Sequence, residues 1–233
     1  LNDTALSDIW VPPLLVYRHY FGDYKILDFL KLLDNKFSGD WIGRQTPTTR
    51  IEAMNNVMKR VEEYAKLEDK TKDEKLNLLF NDNVFVFNSS FFLSDLDENS
   101  IYGRRFARYI LRKVDFLLDA PLYSEKRSSY NEMTVEHILP QNPEENSQWN
   151  LDFTPDEKEE WTHKLGNLVL ISRRKNSGQG RLDFSLKKEK YFKSSIETFP
   201  NSLRVMQKPE WTITELKDNH KQLIDKIKQH YKI

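Results

Sequence analysis

Three short segments between Val135 and Tyr191 gather residue types suited to hydrolysing a phosphodiester. The first, V-E-H-I-L-P-Q (Val135 to Gln141), sets Glu136 beside His137 at the end of a short apolar run. The second, L-G-N-L-V-L-I-S (Leu165 to Ser172), opens another apolar run with Asn167 directly after Gly166. The third, R-R-K-N-S-G-Q-G-R (Arg173 to Arg181), holds Asn176 in a basic, glycine-containing loop ahead of a lysine-rich stretch. Phosphodiester hydrolysis needs an activated water, in-line geometry and stabilisation of charge on the phosphate and the leaving oxygen. Histidine suits the activation of water because its pKa lies near neutrality. Hard oxygen donors suit Mg²⁺ or Mn²⁺, which stabilise the developing charge. Each residue alone has a plainer reading: a lone histidine is usually hydrogen-bonded and half-buried, and asparagines beside glycine are common in turns. The order of the three segments is what points to chemistry.

The elements that carry these residues are readable from periodicity. Thr134 to Leu139 reads as a strand and Leu168 to Ser172 as a second. Asn176 to Gly180 reads as a loop, and Ser185 as the cap of a helix running through Ser194. In a regular strand Glu136 and His137 face opposite sides, so a twist at the strand end is needed to bring both to one centre. Gly166 suits a tight turn before Asn167. The first half of the chain reads as helices. Ile26, Leu27, Phe29, Leu30, Leu32 and Leu33 form one apolar face, and Ile51, Met54, Val57, Met58, Val61 and Tyr64 another, capped by Thr48 or Thr49. A charged turn at Lys70 to Glu74 leads into a short helix through Leu79. Val84 to Phe87 fits a strand or the end of that helix. Tyr102 to Leu118 is amphipathic, and Ala120-Pro121 ends it. A last helix spans Thr214 to Tyr231, reached through a connection from Asn201 to Trp211. The polar stretch Lys126 to Glu132 is the expected boundary, giving a helical region at 1–125 and a second domain at 126–233.

Composition narrows the class. The chain has 233 residues, 38% hydrophobic and 31% charged, with no cysteine and a formal net charge of zero. Disulfides and thiolate zinc sites are therefore excluded. Its longest apolar stretches are far too short to span a bilayer, and no signal-peptide pattern is present; a cytoplasmic location is expected. The first residue is Leu, which suggests a piece of a longer protein. Zero net charge argues against nucleic-acid binding by bulk charge, but the distribution is uneven. Arg173 to Lys193 carries eight basic and two acidic residues, whereas Pro143 to Glu160 carries seven acidic residues and one lysine. A basic patch flanks the candidate site and an acidic insertion lies between its halves. No phosphate-binding loop follows Gly178 and Gly180, and no nucleophile-elbow or Cys-His pattern occurs. Asp95, Asp97 and Glu98 resemble a metal cluster only superficially, and Trp149, Trp161 and Trp211 read as core.

The three segments resemble HNH nucleases of the ββα-metal fold, and more closely the C-terminal nuclease domain of GmrSD-type modification-dependent restriction proteins. That family carries E-H-I-x-P-Q, an insertion, L-G-N-L, a later Asn and a helix with F-x-x-K-x-x-x-Y. Here these are Glu136-His137-Ile138 with Pro140-Gln141, Leu165-Gly166-Asn167-Leu168, Asn176, and Phe184, Lys187 and Tyr191. The resemblance implies an α+β, mostly α chain: a helical N-terminal region, a small ββα-metal (HNH, or His-Me finger) core and a C-terminal helix. It implies a metal-dependent DNA endonuclease in phage defence, acting on DNA that is foreign or modified. An N-terminal nucleotide-binding module outside this sequence would gate it. His137 is then the general base, Asn167 orients its ring, and Glu136 and Asn176 hold one Mg²⁺ or Mn²⁺. Arg173, Arg174, Lys175, Arg181 and Lys187 contact DNA phosphates, positioning the duplex without reading its sequence. His163, four residues before Asn167, either touches phosphate or structures its loop, and the second reading is favoured. Compared with the wider superfamily, Glu136 stands where Asp is common and Asn176 where a histidine often is. Two other readings stay open: a non-catalytic DNA-binding or interaction module, and an RNA-cutting toxin.

Overall fold

The computed structural model describes residues 8–125, 127–172, 180–193 and 198–233. The chain divides into two compact units, Leu1–Asp95 and Leu96–Ile233.

The first unit, among the described residues, is built from helices α1 (Val11–Phe21), α2 (Ile26–Ile42), α3 (Pro47–Ala65), α4 (Lys72–Phe80) and the short α5 (Ser89–Leu93). Local chemistry sets their starts. Prolines occupy the first turns of α1 and α3, where a missing N–H costs nothing. The α3 cap is Thr46, whose hydroxyl accepts from the Thr49 N–H, so the helix begins upstream of the expected Thr48 or Thr49. Thr71 and Glu74 form a reciprocal capping box on α4. The expected strand or helix end near Val84 is a 3₁₀ turn, Asn83–Phe85. The core of this unit is aromatic and aliphatic: Tyr17 stacks on Phe29 with ring centroids 4.1 Å apart, and Leu33, Val57, Val61 and Leu79 are buried.

The second unit holds α6 (Ala107–Leu118), α7 (Ala120–Glu125), β1 (Met133–His137), α8 (Trp149–Asp152), α9 (Pro155–Trp161), β2 (Leu168–Ser172), α10 (Phe184–Lys193), α11 (Pro200–Met206) and α12 (Ile213–Tyr231). The described residues are thus mostly helical, with an antiparallel two-stranded sheet in which His137 faces Leu168 and Met133 faces Ser172. Every residue of β2 is buried. Ile138, Trp149, Val169, Ile171, Tyr191, Trp211 and Leu216 cluster around it, with Trp161 packed at the margin. Helix α6 packs against β2, α11 and α12, so this unit begins well upstream of the polar stretch at Lys126.

Several boundaries differ from expectation for identifiable reasons. The helix expected from Tyr102 starts at Ala107, which leaves Tyr102 in the preceding turn. That helix does end at Leu118, just before Ala120-Pro121, and Pro121 then sits in the first turn of the separate helix α7, where proline is tolerated. Ile138 and Leu139 leave the ladder because the partner strand stops at Leu168. The connection expected from Asn201 contains α11, begun by Pro200. Ser194 lies outside the described residues. No described helix is long and apolar enough to cross a membrane.

Candidate active site

Glu136 and His137 end β1, and the pleat does send them apart: Glu136 meets helix α10, while His137 meets the turn before β2. Both nevertheless line one pocket of about 210 Å³, shared with Pro140, Gln141, Asn142, Gly180 and Arg181. The strand terminates at His137, so the backbone is free to turn there and bring the two side chains to a common space.

Asn167 explains how the chain leaves β1. Its carboxamide oxygen accepts from the Leu139 N–H at 2.8 Å, and its amide nitrogen donates to the carbonyls of Leu139 and Thr162 at 2.9 and 2.8 Å. Its own carbonyl accepts from the Ile138 N–H at 3.0 Å. The side chain thus continues the sheet ladder past its last backbone rung, satisfying groups that would otherwise be buried and unpaired. This corrects the expected role: Asn167 holds the backbone that follows His137, not the imidazole.

Gly166 is required for close approach rather than for a left-handed turn. A Cβ there would lie 2.5 Å from the Cβ and 2.8 Å from the Cα of His220 on α12. The Gly166 N–H donates to His220 Nδ1 at 3.1 Å, and Asn219 donates to the Gly166 carbonyl at 2.6 Å. With Nδ1 accepting, His220 carries its proton on Nε2, which faces Asp97 Oδ1 at 3.0 Å.

The His137 ring is held by one residue of its own motif and by two outside the motifs. Its Nδ1 lies 3.3 Å from the amide nitrogen of Gln141, and its Nε2 lies 3.0 Å from Nδ1 of His163. Tyr102 packs edge-on against His137 with centroids 4.2 Å apart and stacks nearly parallel on His163 at 5.3 Å. The N–H groups of Ile101 and Tyr102 donate to the His163 carbonyl at 3.0 and 3.4 Å. His163 therefore structures its loop, and it also touches the candidate base. Only 5% of His137 is exposed. Burial, the neighbouring His163 and the Lys187 ammonium push its pKa down to about 3, so the ring is neutral at physiological pH.

Lys187, on α10, is fully buried. Its ammonium donates to Glu136 Oε1 at 2.8 Å and to the His137 carbonyl at 2.7 Å. A buried ammonium presents no face to a polyanion, so the phosphate contact expected of Lys187 is replaced by a structural one. It pins the end of β1 and neutralises the Glu136 carboxylate. Burial raises the Glu136 pKa and lowers that of Lys187, and their mutual attraction opposes both shifts. Arg181 is exposed at the pocket rim and meets Glu144 of the acidic insertion at 3.4 Å. Arg173, Arg174, Lys175 and Asn176 lie outside the described residues.

The donor set can be tested against a divalent cation. Among the described residues no three His, Cys, Asp or Glu side chains converge. A hard cation such as Mg²⁺ keeps several waters and takes only one or two protein oxygens. The Glu136 carboxylate on the pocket wall fits that chemistry, with Asn176 as the second donor named by the motif. A larger cavity in the first unit, lined by Lys36, Asn56, Lys59, Arg60 and Glu63, contains no imidazole. Its cations Lys36 and Arg60 are already paired with Asp40 and Glu63. The smaller pocket is the one that joins an imidazole, a carboxylate and a guanidinium.

Tyr102 and Gln141 were missed from sequence, and His163 was set aside. Gln141 lies within the first motif and was the one with a signal. Tyr102 reaches the site through a contact distant in sequence that no spacing encodes. A family model for the C-terminal domain of GmrSD restriction endonucleases matches residues 87–226. No curated protein and no solved structure gives a significant match. The family match covers more than half of the chain and takes in both strands, the Asn167 turn and the pocket, and the chain therefore belongs to the family of GmrSD restriction endonuclease C-terminal domains, which are nucleases.

Proposed function

We propose that the pocket at the end of β1 is the active site of a metal-dependent DNA endonuclease of the HNH, ββα-metal type. The observation that carries this reading is one pocket lined by a neutral imidazole, a carboxylate and an arginine. His137 Nδ1, which lies beside Gln141 of the pocket wall, accepts the proton of the attacking water once the Gln141 amide gives way. Glu136 and Asn176 hold the cation, and Lys187 keeps the buried Glu136 carboxylate compensated. The cation, when bound, stabilises negative charge on the phosphate and leaving oxygens. Arg181 orients the phosphodiester, joined by Arg173, Arg174 and Lys175 of the same basic segment. Asn167 fixes the backbone on which the base is mounted. The biological role that follows is restriction of foreign or modified DNA in the cytoplasm, gated by an N-terminal nucleotide-binding module in the longer protein. In this proposal the nuclease is the second unit, Leu96–Ile233, and the helices of the first unit form a coupling region.

Supercoiled plasmid incubated with Mg²⁺ or Mn²⁺, beside a chelator control and His137→Ala, tests the proposal. Metal-dependent nicking that His137→Ala loses by about 10²–10⁴-fold supports it. Equal cutting by the variant removes His137 from the mechanism. Salt-sensitive DNA binding without nicking at any metal, also in the full-length protein, leaves a binding module instead. Preferential digestion of RNA in a parallel reaction leaves a toxin-type ribonuclease.

A further inference from the structure

The two nitrogens of His137 have different surroundings. Nδ1 faces Gln141, a residue of the pocket wall. Nε2 faces Nδ1 of His163, which does not line the pocket. A proton lies between the two imidazoles and can belong to either ring. If His163 donated it, neutral His137 would carry its own proton on Nδ1, directed at the amide nitrogen of Gln141, which is itself a donor. If His137 donates it, Nδ1 keeps its single lone pair, which accepts from Gln141 and becomes available to a proton from the pocket when the Gln141 amide swings aside. Only the second arrangement avoids setting two donors against each other, and it leaves a lone pair on the Gln141 side of the ring.

We propose that His163 is the positioning residue of the catalytic base: it accepts the Nε2–H of His137, fixes that tautomer and keeps the Nδ1 lone pair on the Gln141 side of the ring. This rests on the reading of His137 as the base, and it moves the orienting role from Asn167 to His163. The contact is built, not incidental. The His163 carbonyl is tied to the N–H groups of Ile101 and Tyr102, and its ring is clamped by the nearly parallel Tyr102 ring. The Tyr102 edge against His137 restricts the second imidazole as well. The arrangement has the logic of a ring nitrogen oriented by the hydrogen bond that the other nitrogen makes.

The test uses the full chain labelled with ¹⁵N-histidine and long-range ¹H–¹⁵N correlation to read the His137 tautomer, beside plasmid-nicking kinetics. His163→Gln retains an acceptor, His163→Ala has none, and His163→Lys offers only donors. The expected result is an Nε2–H tautomer for His137 in the wild-type chain. It persists in the Gln variant and is lost in the Ala and Lys variants. The turnover rate constant falls about 10–100-fold in Ala and Lys with little change in KM, as for other oriented histidines, and recovers in Gln. A wild-type proton on Nδ1, or a tautomer indifferent to all three substitutions, overturns the proposal. Because the tautomer is read without turnover, a chain that fails to cut DNA still decides this point, separately from the nuclease reading.

Discussion

Strand β1 has a buried carboxylate at each end, and the two are treated differently. At its start, Asp115 of α6 accepts from the Tyr130 hydroxyl at 2.9 Å and from the Asn201 backbone N–H at 2.8 Å. These contacts join α6, the 3₁₀ turn leading into β1 and the first turn of α11. At its end, Glu136 pairs with the Lys187 ammonium and borders a pocket. Burial raises both carboxyl pKa values, that of Asp115 to about 7. The first carboxylate accepts from a hydroxyl and a backbone N–H, with the Arg112 guanidinium near enough to oppose part of the upward shift, and it borders no described pocket of the site. The second is hydrogen-bonded to an ammonium and borders a pocket, the arrangement that the proposed role of Glu136 requires. Burial alone therefore does not separate the two carboxylates; the bonded countercharge and the adjoining space do.

The largest break in this comparison is Lys187→Met. It keeps the volume but leaves Glu136 buried without its partner, and such one-sided removal costs about 3–5 kcal/mol. Urea denaturation at pH 8 should show that loss, and the loss should shrink as the pH is lowered, because burial raises the Glu136 pKa and favours its neutral form. Adding Glu136→Gln should recover most of the stability while leaving the chain inactive. A loss below about 1 kcal/mol in the single variant would mean the pair is not buried as described.

Next in size is the pH dependence set by Asp115. Its folded pKa lies above the ordinary carboxyl value of 3.8, so between 3.8 and about 7 the folded chain binds more protons than the unfolded one. Stability from this group is full below the unfolded value and falls as pH rises to the folded one, a change of about 4 kcal/mol at most. Asp115→Asn should flatten that portion of the melting-temperature profile. An unchanged profile would show that Asp115 titrates normally. Tyr130→Phe removes one hydrogen bond to the same carboxylate and should cost about 1–2 kcal/mol, measured by the same unfolding curves. The corresponding deletion at the other end, Lys187→Met, should cost clearly more, because there a charge is lost.

Sequence carried the positions of the site further than their partners. The strands ending at His137 and beginning at Leu168 were legible because apolar runs with polar ends have few alternatives. What Asn167 holds was not legible: its partners, Leu139 and Thr162, follow from the register of a sheet whose last rung a side chain supplies. Lys187 reads as exposed within a basic run, yet helix α10 turns that one position inward onto Glu136 while Lys188 and Lys190 remain on its outer side. Helix α11 was read as a connection between elements, although Pro200 sits where proline begins a helix. Tyr102 fell in an expected helix, and only the later start at Ala107 frees it to reach His163.

Arg181→Ala should have the smallest effect on the fold and sharpens the comparison most directly. Its contact with Glu144 is solvent-exposed at 3.4 Å, a geometry that contributes almost nothing to stability. The folded chain should melt within about 0.5 kcal/mol of the wild type. DNA binding should weaken equally for all sequences, with the slope of log affinity against log salt reduced by about one phosphate contact. The acidic partner supplies the control: Glu144→Gln frees Arg181 and should strengthen binding at low salt. If both variants leave the salt slope unchanged, the pocket rim does not meet phosphate. The pocket beside Glu136 would then need another explanation, even with the Lys187 pair intact.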